Sequence, residues 1–327
     1  MKRRIAHVRF MSSLMVLLAM GVAATLHAQG FPSKPVRIVV GFTPGGATDV
    51  VARTISQKLS ETLGQAVVVD NRPGAASNIG AELVAKAPKD GHTLLLGTVS
   101  TSINPSLYKK LAYDPLVDFT AITQVTGTPF LFVVHPSLPA RSVKEFIALT
   151  RARPGQLNYG SAGSGSGAHL FVAMFASMAQ LDVVHVPYKG SAPSTTAILS
   201  GETIFMFDNI VTTLPLAHAG KLRALAVTTA VRSAAAPEMP TISESGVPGY
   251  DANAWFGIFA PAGTPQAVVD RLNAEIVKVV KLADTRDRFL ALGAEPVGST
   301  PDQFGAFFRN EVAKWARVVS ESGAHVE

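Results

Sequence analysis

The chain has 327 residues, 47% apolar and only 16% charged, and at roughly 100–200 residues per domain it is long enough for two domains. That balance supplies a large core and excludes a disordered chain. Cysteine is absent, which excludes disulfides and thiolate metal ligands.

Lys2, Arg3, Arg4 and Arg9 form a basic n-region ahead of a largely apolar run, Phe10 to Leu26, and Leu26-His27-Ala28 offers a cut after Ala28. Residues 1–28 are therefore expected to be a secretory signal peptide. The run falls short of the ~20 residues that span a bilayer, so a soluble exported protein is expected rather than an anchored one. The leader carries four of the formal +6 charges, which leaves the rest of the chain near +2. No basic stripe with interleaved aromatics is present, and nucleic acid is not an expected partner.

Val36–Gly41 (VRIVVG) has the β-branched character of a strand buried on both faces. Thr43-Pro44-Gly45-Gly46 follows, then helical spacing over Ala47–Leu63 with Gly64 as its C-cap, and a strand over Ala66–Val69. Asn71–Gly74 reads as a turn, Ile79–Ala87 as a helix and Thr93–Gly97 as a strand. This alternation predicts an α/β lobe with a largely parallel sheet. The pattern restarts with a strand at Phe130–Val134 and a helix over Ser142–Arg151, with Ser142 and Glu145 as a capping box. Strands are expected at Leu157–Gly160, Val183–Val186, Ile204–Phe207 and Leu222–Val227, and helices at His169–Ala179 and Ser191–Ser200. After a Pro, Gly and Ala-rich loop (Ala234–Gly249), a strand at Trp255–Ala260 and helices at Gln266–Lys281 and Pro301–Ser320 are too little for a domain of their own. They are expected to complete the first lobe. The expected division is 29–127 plus 251–327 for lobe 1 and 128–250 for lobe 2, with two crossings forming a hinge and a cleft between the lobes.

Two loops stand out. Phe42–Asp49 (FTPGGATD) lies where a strand ends and a helix begins, and free N–H groups there, approached closely over Gly45 and Gly46, bind anions without Lys or Arg. It lacks the Lys-Ser/Thr of a P-loop. Ser161–His169 (SAGSGSGAH) repeats the arrangement in the second half, with Ser161, Ser164 and Ser166 as added hydroxyls. Two such loops point to a ligand held from both sides at the carboxyl ends of strands. Phe42, Thr43, Pro44, Thr48, Asp49, Ala162, Gly163 and His169 join the candidate ligand residues. So do Thr98, expected in a polar loop at the cleft edge, and Tyr188, Lys189 and Gly190, with Lys189 as a possible counter-charge. Asp208, after IFMF, could accept from a ligand amine or hydroxyl, or cap the next element.

Other chemistries fit less well. Gly163, Gly165 and Ala168 match G-x-G-x-x-A, but the only acid nearby, Asp182, follows Ala168 by 14 residues and the loop lies mid-chain. A hydrolase built on Ser161, Ser164 or Ser166 with His169 lacks the G-x-S-x-G elbow and an evident acidic orienter. His92, His135, His169, His185 and His218 show no metal-binding spacing, so no metal and no cofactor is expected. Phe130, Phe132, Phe171, Phe175, Phe205 and Phe207 sit at strand or helix periods and are expected in the core.

FTPGGATD, NRPGAASNIGAELVAKAPKDGHTLLLG, INPSLYKKLAYDP, NYGSAGSGSGAHL, VPYKGSAP, MFDN and AGKLRALAVTT resemble the Bug-type, TctC-like substrate-binding proteins of tripartite tricarboxylate transporters, from about residue 31 to about 320. The resemblance implies a two-lobed α/β periplasmic-binding-protein (Venus-flytrap) fold, each lobe a mostly parallel sheet flanked by helices. It implies a non-enzymatic, monomeric clamp for a di- or tricarboxylate, acidic amino acid or aromatic acid, with membrane transporter subunits as partners. The segments matching Thr43–Thr48 and Ser161–Ser166 would hold one carboxylate, and the segment of Asp208 would lie near the variable end of the pocket. The chain departs from many members at Val99–Ser102, where a glycine-containing loop is common. A Ser/His hydrolase and a binding protein feeding a membrane sensor kinase are the alternatives.

Overall fold

The structure, a computed structural model, describes residues 30–322; the expected signal peptide lies outside them. β1 (Val36–Val40) buries Val36, Ile38, Val39 and Val40, as its apolar run requires. α1 (Ala47–Leu63) begins after Gly46 and stops at Gly64, whose φ of 66° is the left-handed conformation that glycine adopts without strain. β2 (Val67–Asn71), α2 (Asn78–Ala85) and β3 (Thr93–Thr98) follow, and β1 pairs in parallel with both β2 and β3.

The predicted strand at Phe130–Val134 is the end of a longer one. β4 (Phe119–Val134) runs 16 residues and changes partners along the way. Residues 119–129 pair antiparallel with β9 (Asn253–Pro261), while 130–134 pair antiparallel with β7 (Phe205–Asn209) and β8 (Arg223–Val227). Pro129 is the last β4 residue paired with β9, at the end of that ladder, where a missing N–H costs least. The first part, FTAITQVTGTP, escapes an apolar-run reading because threonines carry it; threonine suits a pleated surface without being apolar. Its register slips twice, between Ala121 and Thr123 and between Gln124 and Thr126.

The second half contains α4 (Val143–Ala152), β5 (Asn158–Ser161), α5 (Gly167–Ala179), β6 (Val184–Pro187), α6 (Ser191–Ser200), β7 and α7 (Ile210–His218). β5 pairs in parallel with β6 and β7. The strand order is β2-β1-β3-β9-β4-β7-β5-β6. Parallel strands thus form each flank. β4 and β9 supply the antiparallel pairs because one leaves the first flank and the other returns to it. The Ser142 hydroxyl caps α4 by accepting from the Glu145 N–H at 3.2 Å, and the Glu145 carboxylate accepts from the N–H of Arg141 rather than that of Ser142.

The last block holds α8 (Gln266–Lys281), α9 (Ala283–Ala291), a short β10 (Glu295–Pro296) and α10 (Pro301–Ser322). β9 pairs with β3, so this block joins the sheet of the first flank. α10 carries Trp315, whose ring stacks on Phe171 of α5 at 5.2 Å, and Phe304 and Phe308, which meet Trp255 of β9 edge-on at 5.7 and 5.8 Å. Apolar contact therefore runs from the C-terminal helix into the second half of the molecule.

Candidate functional site

Five helices start at the ends of five strands around one cavity. Its empty space is about 490 Å³, open mouth included. Phe42, Gly46, Ala47 and Thr48 reach it from the β1–α1 junction, and Thr98, Val99 and Ser100 from β3 and α3 (Val99–Leu107). Ala254, Trp255 and Phe256 of β9 form a wall. From the other half come Phe130, Ala162, Ser166, Gly167, Ala168, Ser191, Asp208 and Asn209. Among the described residues, no lysine or arginine lines it.

The five helix starts differ in how their free N–H groups are used. Thr98 caps α3, accepting from Ser100 N–H at 3.2 Å, while its own N–H donates to Thr101 Oγ1 at 3.2 Å. Ser166 caps α5 by accepting from His169 N–H, and Asn209 caps α7 by accepting from Val211 N–H. α1 and α6 have glycine N-caps, Gly46 and Gly190, and no side-chain cap. Their first-turn N–H groups are left for a ligand or water. These two ends also meet: a methyl group at Gly46 would lie 3.4 Å from Ser191 Cβ, and one at Gly190 would come within 2.3 Å of Thr43 Oγ1. Glycine at 190, where φ is 140°, permits that approach. Two uncapped helix ends of positive partial charge thus face one another beside hydroxyls, the arrangement that favours an anion.

Of the residues singled out in the sequence, Phe42, Gly46, Thr48, Thr98, Ala162, Ser166 and Asp208 line this cavity. Gly163, Ser164, Tyr188 and Lys189 line a neighbouring one that shares Phe42 and Ala162 with it. Lys189 thus lines that second cavity and not the main one. Tyr108, also there, donates its hydroxyl to the Ser164 carbonyl at 2.9 Å. Thr43 and Gly190 touch each other beside the cavity without lining it, Pro44 lines neither space, and Gly45 turns its N–H away to Asp49 Oδ2 at 3.0 Å.

Three expectations need correction. Asp49 does not face the cavity: its carboxylate accepts from Gly45 N–H, from Arg53 Nε at 2.9 Å and from Asn71 Nδ2 at 3.0 Å, and so ties the loop to helix and strand. Burial by itself would raise its pKa, but these bonds together hold the carboxyl below the usual range. Ser161 is fully buried and pairs with His185 Nε2 at 2.6 Å. His169 accepts Gly165 N–H on Nδ1 and stacks on His185 at 4.1 Å. Burial, reinforced by His169, pushes the His185 pKa down to about 3. Of the loop serines, Ser166 caps a helix with its hydroxyl and Ser161 pairs with His185.

Thr98–Ser102, expected as a polar loop, is the first turn of α3 instead. Phe130, expected in the core, does pack on Phe171 at 4.7 Å, yet also reaches the cavity. Among the wall residues missed in the sequence are Ser191 and Trp255; Ser100 and Asn209 belong to the segments read with Thr98 and Asp208. Ser191 had a usable signal, a small polar residue between a strand and a helix; Trp255 had none. Its indole N–H donates to Glu311 Oε2 at 3.1 Å, and the same oxygen accepts from Trp315 at 3.0 Å. A residue of α10 thereby fixes the wall.

Among the described residues, Asp208 is the only ionisable side chain in the wall. It is 3% exposed, and Ser191 Oγ and Thr212 Oγ1 both donate to its Oδ2. Burial pushes its pKa up to about 6, against the lowering effect of the Ser191, Asn209 and Thr212 donors.

The profile of the tripartite tricarboxylate transporter family receptor (TctC) matches residues 51–324. A UPF0065 protein from the tcbD-tcbE intergenic region of Pseudomonas sp. (strain P51) is 38% identical over 309 residues, covering 94% of this chain and 92% of that one. Protein BugT of Bordetella pertussis is 37% identical, covering 94% and 95%. Among solved structures, R. palustris Rpa4515 with adipate superposes with a TM-score of 0.88 at 40% identity, covering 90% of this chain and all (100%) of that one. MatC from Rhodopseudomonas palustris with bound malate gives 0.85 at 34% identity, covering 88% and 100%.

Proposed function

The chain belongs to the TctC receptor family of periplasmic binding proteins, and from that premise we propose that it captures a small organic acid between two lobes in the periplasm and delivers it to transporter subunits in the membrane. The lobes of this reading are residues 29–127 with 251–327, and 128–250, joined where β4 and β9 cross. The observation that carries it is the cavity itself: uncapped helix ends and hydroxyls converge from both sides on a space with no cationic side chain. A carboxylate there gains charge-assisted hydrogen bonds, which strengthen as closure expels water. The open amides of α1 and α6 are the expected anchors, with Thr48 and Ser166 as flanking hydroxyls. Phe42, Phe130 and Trp255 would cover the ligand's carbon skeleton. Relatives solved with adipate and malate support an acid ligand. Ligand shifts the population toward the closed form, and that form is the one a transporter would recognise.

A thermal-shift screen of refolded protein tests this, with aliphatic dicarboxylates, hydroxy acids, acidic amino acids and benzoates set against neutral sugars and amides. A ligand that binds only the native state stabilises it by about 2.7 kcal/mol at a hundredfold excess over Kd. The expected result is a shift with one class of acid, abolished by Gly46→Val. A shift with a neutral compound and none with any acid overturns the carboxylate reading.

A further inference from the structure

The loop from Ser161 to Ser166 carries two residues of the cavity wall, Ala162 and Ser166, on a backbone that includes Gly163 at φ 121° and Gly165 at φ 91°. Glycines have many conformations open to them, so contacts outside the loop must select one. Gly165 N–H donates to His169 Nδ1 at 3.1 Å. Gly163 N–H donates to Ser161 Oγ at 3.1 Å, and that oxygen pairs with His185 Nε2 at 2.6 Å. Each glycine amide therefore ends on an imidazole, one directly and one through a serine. The loop is also held by its carbonyls. Ser161 accepts from Tyr188 N–H at 3.1 Å, Gly163 from Ser166 N–H at 3.0 Å, and Ser164 from the Tyr108 hydroxyl at 2.9 Å. None of these bonds fixes the Gly165 amide.

The two imidazoles form one unit. Tyr159 of β5 and His185 of β6 are neighbours in the parallel register, and their rings stack at 4.9 Å. His169, in the first turn of α5, stacks on His185 at 4.1 Å with the planes 6° apart. Tyr159 and His169 are both buried. A neutral imidazole that accepts on Nδ1 carries its proton on Nε2, so the amide bond selects the His169 tautomer. We propose that the His169–His185 stack is the positioning unit of the ligand loop: it fixes the Gly163 and Gly165 amides, and with them Ala162 and Ser166, in the arrangement that receives an acid. The positioning stands on these bonds alone, and its effect on acid binding rests on the small-acid reading. Without the acceptor the loop regains freedom, and binding must order it again.

Paired substitutions separate this role from packing. His169→Asn keeps an acceptor at the δ position and loses the ring; His169→Phe keeps a ring and loses the acceptor. Two readouts are taken: hydrogen exchange of the Gly163 and Gly165 amides by NMR in ligand-free protein, and calorimetric affinity for malate, adipate, glutamate and benzoate. In His169→Phe, Gly165 exchange should quicken at least about tenfold, and the Kd of whichever of these acids binds should rise about tenfold. In His169→Asn both should stay within about threefold of the unaltered protein. His185→Gln set against His185→Phe repeats the comparison at Gly163, and decides the question should a His169 variant not fold. The reverse pattern, with Phe tolerated and Asn not, or equal loss in both, makes the rings mere packing and overturns the proposal. Quickened exchange with unaltered affinity overturns the link from loop to ligand. Absence of binding by all four acids counts against the small-acid reading and not against the loop, whose positioning the exchange rates still decide.

Discussion

Two aspartates at matching positions, each beside a strand-to-helix junction, have opposite fates. Asp49 has a guanidinium, an amide and a backbone N–H around its carboxylate, and Asp208 has hydroxyls and a backbone N–H without a cation. In sequence both are a single acid at a strand-to-helix junction, so their roles were not separable there. For Asp208 the sign of the pH effect follows from the raised pKa. An ordinary carboxyl near 3.8 that is held near 6 in the fold binds more protons when folded. Its stabilising effect is complete below pH 3.8 and is lost as pH rises through about 6, by about 3 kcal/mol at 1.36 kcal/mol per unit. Denaturant titrations of ligand-free protein from pH 4 to 7 should show that loss, and Asp208→Asn should flatten it; an unchanged slope in the variant contradicts the assignment. At Asp49 the effect is local and structural. Asp49→Ala leaves Arg53, Asn71 and Gly45 without their acceptor and should cost about 1–3 kcal/mol of stability, measured by chemical denaturation.

The elements that matter are helix starts rather than helices. α1, α6 and α8 were legible to within a residue because apolar periodicity, a C-terminal glycine or flanking turn residues mark them. α3 and α7 were not. Each is nine residues long, carries an internal proline (Pro105 and Pro215) and follows a polar N-cap, Thr98 or Asn209. Their formation is a tertiary matter: α3 is wedged against α10, and α7 lies on β4. The cap is still worth measuring. Thr98→Ala removes the acceptor for Ser100 N–H and should cost about 1 kcal/mol of stability. Because the same turn lines the cavity, ligand affinity should fall as well, which a cap remote from the site would not cause.

At the scale of the molecule, glycines and one hydroxyl are among the contacts between the two halves beside the cavity. Tyr108→Phe removes the bond to the Ser164 carbonyl and should speed ligand release about two- to tenfold, read by stopped-flow competition, with little change in fold. Gly190→Val places a side chain against Thr43 and should hold the lobes apart. Small-angle scattering of that variant should show no contraction on adding a ligand that contracts the unaltered protein. Contraction of the variant would show that this contact does not limit closure.

Local order was decided by the sequence itself. The β-branched run of β1, the 3.6-residue spacing of α1 and α8, and the glycines after each strand act over a few residues, where period and backbone freedom are sufficient causes. What only the tertiary structure decided is which polar groups face the ligand. A hydroxyl or carboxylate binds whichever donor the fold brings nearest. Ser161 is taken by His185 from 24 residues away, Asp49 by Asn71 from 22, and the indole of Trp255 by Glu311 from 56. Each of those partners is set by strand order and helix packing, so the same short motif yields a free donor at Gly46 and an occupied one at Ser161.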